Sequence, residues 1–172
     1  MKKTKLTKKE LLLKIFQLQD EVGDKIKYLN RGGCGTFAKM FYKKLVKFYP
    51  KEKVKIIFFD DYEPIRNKKN TIKDIKTDND PCWTGHLAPN HCMVQIDDVL
   101  LVDGYYTHNK KKDPYRWKRM YRGYMTIEDL EICLEYGSWN DDYDTDQNSK
   151  LKRIIKKYFG EKKSKKVCKS KK

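Results

Sequence analysis

The apolar residues fall into six patterned stretches, separated by glycines, prolines and runs of charge. Leu11, Leu12, Ile15, Phe16 and Val22 recur at helical spacing. Thr7 and Glu10 precede them as a capping box, and Gly23 is the expected stop. A glycine-rich turn, Asn30 to Gly35, opens a second helical pattern of Phe37, Ala38, Phe41, Tyr42, Leu45 and Val46, which ends before Pro50. Val54 to Phe59 is rich in β-branched and aromatic residues and reads as a strand. Residues 60–80 are polar and read as a long loop. Residues 91–103 read as a hairpin turning at Asp97 and Asp98. Residues 105–125 are aromatic and basic without a clear period. Thr126 and Asp129 cap a third helix that runs to Tyr136, with Gly137 as its stop. An acidic loop, 138–148, leads to a last helix capped by Ser149, with Leu151, Ile154, Ile155 and Tyr158 on one face. The order of elements predicts an α+β fold: N-terminal helices packed on a small antiparallel sheet, with C-terminal helices.

At 172 residues the chain is long enough to bury a core without staples, and residues 1–160 are expected to form a single domain. The tail 161–172 is almost all Lys and Ser and is expected to be disordered. No apolar run has the length of a membrane span. The net charge of +16 favours contact with nucleic acid or another anionic surface, but the two ends hold much of it. Residues 1–10 carry +4 and residues 161–172 carry +6, and the cations are 34 Lys against 6 Arg. Arg forks are the usual readers of bases and phosphates, so this balance points to nonspecific attraction rather than sequence recognition. The five cysteines are odd in number, and the basic start, interrupted by Lys14, lacks a secretory pattern. A reduced, cytoplasmic setting is the expectation, with the cysteines as thiols, metal ligands or a nucleophile.

Residues 81–109 contain no Lys or Arg, yet hold all three histidines, His86, His91 and His108. A stretch that drops its solvating charges is buried or lines a site. Upstream, Cys34 lies between Gly33 and Gly35 at the start of the second helix. A helix N-terminus offers partial positive charge and unpaired N–H groups, a setting that favours a thiolate. The flanking glycines leave room for a substrate carbonyl, and the Cys34 amide is placed as an oxyanion donor. His91 begins the first strand of the hairpin and Asp103 ends the second, so an imidazole and the carboxylate that would orient it are expected to be neighbours. Loop length decides whether they meet. A two-residue turn at Asp97 and Asp98 pairs Cys92 with Asp103 and sends His91 to the other face. A three-residue loop, Ile96 to Asp98, pairs His91 with Asp103. The expectation therefore requires a loop of three or five residues, or a bulge.

The segments GGCGTFAKMFYKKL and HCMVQIDDVLLVDG resemble the papain-like cysteine hydrolases, and among them the transglutaminase-like branch. The resemblance covers roughly residues 30–105. It implies a papain-like fold in which Cys34 is the nucleophile, His91 the general base and acid, and Asp103 the residue that orients His91. No cofactor is implied, and the substrate class is a protein or peptide-like amide cleaved or transferred by acyl exchange. Asn30, Gly33, Trp83 and His86 are the candidate oxyanion and groove residues. Two positions depart from the family pattern: Met93 stands where an aromatic residue is common, and Asn30 is the only amide near the place of a papain-type Gln.

Several plainer readings compete. Cys34 also reads as a small core residue, and Cys92 and Cys133 fit core positions on their strand and helix. His86 and His108 suit surface or loop positions. Cys82, His86, His91 and Cys92 offer two Cys and two His for zinc, but His91 and Cys92 are adjacent on a strand and would point apart. Asp142, Asp144 and Asp146 begin like a calcium loop, yet Gln147 and Arg153 occupy the positions of its Gly and Glu. No metal site is therefore expected. Residues 115–122 interleave basic and aromatic side chains, as single-strand stacking surfaces do. The alternative to an enzyme is a non-enzymatic, basic, nucleic-acid-associated protein that keeps a papain-like scaffold.

Overall fold

The computed structural model describes residues 6–60, 91–112, 121–136 and 142–160. Among these residues, four helices and five strands form an α+β fold. Helix α1 spans Lys8–Lys25, α2 spans Cys34–Leu45, α3 spans Ile127–Tyr136 and α4 spans Asn148–Phe159. The strands are β1 (Val54–Asp60), β2 (His91–Ile96), β3 (Leu100–Val102), β4 (Thr107–Asn109) and β5 (Tyr121–Met125). They make one antiparallel sheet in the order β4-β3-β2-β1-β5.

The two capping pairs led by Thr hold. The Thr7 hydroxyl accepts from the Glu10 amide at 3.3 Å, and the Glu10 carboxylate accepts from the Thr7 amide at 2.8 Å. Thr126 and Asp129 make the same reciprocal pair before α3, at 3.0 and 3.2 Å. Gly23 does not stop α1. The ladder runs through it to the Ile26 amide, which donates to the Val22 carbonyl at 2.8 Å, and the backbone becomes extended at Ile26, a residue buried in the core. The buried stripe of α1 is also rotated from the expected one. Leu11, Ile15, Leu18 and Val22 line it at spacings of four, three and four, and Gln19 joins them, while Phe16 is half exposed. The last helix begins at Asn148, after a 3-10 turn at Thr145–Gln147, so Ser149 is not its cap, and Phe159 rather than Tyr158 completes its buried face.

Strand alternation divides the sheet. Ile56, Phe58, Cys92, Val94, Ile96, Leu100, Val102 and Met125 join the main core with the apolar faces of the four helices. Ile57, Met93 and Leu101 form a smaller cluster on the opposite face. The featureless stretch 105–125 supplies the two outer strands, β4 and β5, which are too short to show a period in sequence. No helix among the described residues is long and apolar enough to cross a membrane.

Candidate active site

The hairpin between β2 and β3 closes on Ile96 opposite Leu100, with a three-residue loop of Asp97, Asp98 and Val99. Asp97 and Asp98 adopt φ of 52° and 56°, a left-handed conformation that Asp tolerates better than most residues. Asp97 Oδ2 accepts from the Tyr49 hydroxyl at 2.8 Å, and Asp98 Oδ1 from Lys55 Nζ at 3.0 Å. The loop has the odd length the site requires, but it sits one residue later than Ile96 to Asp98. Val94 faces Val102, so one step further Asp103 stands level with Met93, not His91. His91 and Asp103 therefore meet on the diagonal, with His91 Nε2 donating to Asp103 Oδ2 at 3.4 Å.

Asp103 does not end β3 as expected; it begins a turn just past it. Its Oδ1 accepts from the amides of Tyr105 and Tyr106, both at 2.7 Å, and its own amide donates to the Tyr106 carbonyl at 3.0 Å. One carboxylate oxygen is thus committed to the turn, and the other faces the imidazole. Burial works against this carboxylate, but the bonds from His91, Tyr105 and Tyr106 outweigh it and hold Asp103 below the usual carboxylate range.

Cys34 opens α2, as the sequence predicted. Gly33 caps the helix without a side-chain bond. The Asp103 carboxylate and the Cys34 thiol both act on the His91 imidazole. Burial favours neutral His91, yet these two partners raise it from 6.5 to about 9. With Nε2 engaged by Asp103, Nδ1 is the ring nitrogen suited to exchange a proton with sulfur. Cys34 is 1% exposed, so the His91 side chain, 19% exposed, is the part of the cluster that meets solvent. Cys92 and Cys133 are buried core residues, as expected, and burial pushes the Cys92 thiol well up.

The sequence left several supports unnamed. The Tyr105 hydroxyl donates to the Ile26 carbonyl and accepts from the Leu29 amide, both at 2.9 Å, tying the Asp103 turn to the loop before Cys34. His108, expected in a loop or on the surface, lies on β4 with Nε2 3.9 Å from Asp103 Oδ2. Leu29, fully buried, fills the space beside both Gly33 and Gly104. A Cβ on Gly33 would lie 2.7 Å from the Tyr143 ring and 2.8 Å from Leu29 Cδ1. Close packing by Tyr143 and Leu29, rather than room for a substrate, therefore accounts for this glycine. A Cβ on Gly104 would strike Leu29 Cδ2, and Leu29 has no slack because Gly33 bounds it on the other side. Gly104→Ala is expected to cost roughly 1–3 kcal/mol by overpacking. In urea titrations, Leu29→Ala combined with Gly104→Ala is expected to cost less than the sum of the two single changes.

Asn30 lies on the same loop with its Oδ1 buried and without a hydrogen-bond partner. That oxygen is an acceptor, and the donor an oxyanion needs would have to be the Nδ2 of the same amide. Trp83 and His86, the other groove candidates, and Cys82 lie outside the described residues. Among the described residues no group of three or more His, Cys, Asp or Glu is arranged to hold a metal ion. Asp142 instead pairs with Arg31 at 3.4 Å, and Asp144 accepts from the Asp146 amide at 2.8 Å. No protein-family model, curated protein or solved structure matches the chain.

Proposed function

We propose that the chain is a cysteine-dependent acyl-transfer enzyme of papain-like type, acting on a peptide-like amide. One observation carries this reading: a single imidazole, His91, meets the Asp103 carboxylate at 3.4 Å and has its basicity raised both by that carboxylate and by Cys34, a thiol at a helix start. The raised basicity of His91 suits its imidazole to take a proton from sulfur and to hold it for the leaving group. Cys34 Sγ attacks the carbonyl carbon, and the oxyanion accepts from the Cys34 amide, one of the N–H groups a helix start leaves outside its ladder. The C–N bond breaks as His91 gives its proton to the departing nitrogen. The acyl group remains on Cys34 as a thioester. Water, or an acceptor amine, then gives a proton to His91 and attacks the thioester carbon, and sulfur leaves as the thiolate. Asp103 keeps the ring oriented and stabilises its charge throughout. No step requires a cofactor.

The burial of Cys34 favours a second reading, in which the three groups are a buried polar network in a non-enzymatic basic binding protein. An activated ester such as p-nitrophenyl acetate separates the two. Acyl transfer leaves an acetyl adduct on Cys34 that turns over, seen as a burst of nitrophenol and located by peptide mass spectrometry. Labelling of Cys34 only after unfolding overturns the enzyme reading. Binding to a generic oligonucleotide that falls steeply with salt would then support the second.

A further inference from the structure

We infer that Gln19 is a positioning residue for the Asp103 carboxylate, because its amide spans and fixes the turn that carries that group. The inference rests on the acyl-transfer reading of Cys34, His91 and Asp103. Gln19 occupies the buried stripe of α1 among Ile15, Leu18 and Val22, and is 6% exposed. An amide buried there is costly unless both of its ends are paired. Both are: Nε2 donates to the Asp103 carbonyl and Oε1 accepts from the Thr107 hydroxyl, each at 3.0 Å. These partners lie at the two ends of the turn. Inside it, the Tyr105 and Tyr106 amides fix Asp103 Oδ1, so the orientation of the turn sets where Oδ2 points. That setting is fine. Oδ2 is 3.4 Å from His91 Nε2 and 3.9 Å from His108 Nε2. A displacement of well under an ångström would move the carboxylate from the imidazole that serves Cys34 to the one that does not.

The test is the pH dependence of iodoacetamide labelling of Cys34, read peptide by peptide, in the wild type, His91→Ala, Gln19→Leu and Gln19→Glu. The wild type is expected to keep a His91-dependent rate below neutral pH. Gln19→Leu is expected to lose roughly tenfold or more of that rate near pH 6.5, approaching His91→Ala, as small misplacements of catalytic groups do. Gln19→Glu keeps the size of the side chain and serves if Gln19→Leu does not fold. Its carboxylate cannot donate to the Asp103 carbonyl, but its protonated form can, so its rate relative to wild type is expected to recover below about pH 5. A lowered urea midpoint with an unchanged pH profile would make Gln19 purely structural and overturn the inference alone. A wild-type profile that does not depend on His91 would overturn the acyl-transfer reading, and this inference with it.

Discussion

His91→Ala is expected to slow acylation of Cys34 at pH 6.5 by roughly 10²–10⁴-fold, the usual effect of removing a positioned acid–base group. Wild-type His91 is held protonated up to about 9, so on the acyl-transfer reading it is charged across the neutral range and able to protonate a leaving nitrogen. Without it, no positioned base takes the thiol proton, and alkylation by iodoacetamide is expected to fall in the same direction. Cys92→Ser, at a buried thiol pushed well up, is the control that leaves the rate unchanged. A rate for His91→Ala within twofold of wild type across pH 6–7 would remove the imidazole from the mechanism.

The second large effect is on stability. Asp103→Ala is expected to cost roughly 3–5 kcal/mol at pH 6, because it leaves a buried charged partner uncompensated. The pH dependence follows from the two shifted groups. His91 is raised from 6.5 to about 9, which corresponds to roughly 3 kcal/mol. Because the folded form binds the proton more tightly, that stabilisation is complete below about pH 6.5 and is lost as the pH rises through 9. Asp103 is lowered, so its contribution is present above the ordinary carboxylate range and is lost as the pH falls below it. Wild-type stability should peak between about pH 4 and 6.5. Urea denaturation across this range, in wild type and Asp103→Ala, is expected to show a gap that narrows toward pH 9. What remains there reflects the turn bonds to Tyr105 and Tyr106, which do not titrate in that range. A gap independent of pH would mean that the His91–Asp103 contact carries no charge.

Much of the site was legible because its residues obey local rules. Cys34 announces itself by its glycines and the apolar period that follows, and the Thr7 and Thr126 caps by their acidic partners three residues on. The hairpin was legible in kind but not in register. Its loop is set by Asp97 and Asp98 in left-handed backbone, which Tyr49 and Lys55 secure from other elements. The supports were not legible because they are long-range. Gln19 looks like one more polar residue of α1 until Asp103 and Thr107 are seen to meet it. A polar residue beside the Leu11, Ile15, Leu18, Val22 stripe was the available signal, hidden by assigning Phe16 to that stripe. Gly104 carries no sequence mark of Leu29 beside it, and His108 none of the carboxylate it faces. The strands β4 and β5, three and five residues long, offered too few alternations to count.

The three-residue loop Asp97–Val99 has a consequence on the scale of descent rather than chemistry. Loss or gain of one codon there would exchange inward for outward along a whole strand, taking Asp103 away from His91 while leaving every residue of the cluster in the gene. Loss or gain of two codons would not. Among chains sharing this scaffold, this hairpin should vary in length by even steps wherever Cys, His and Asp are kept together, and odd steps should mark lineages in which the three have parted.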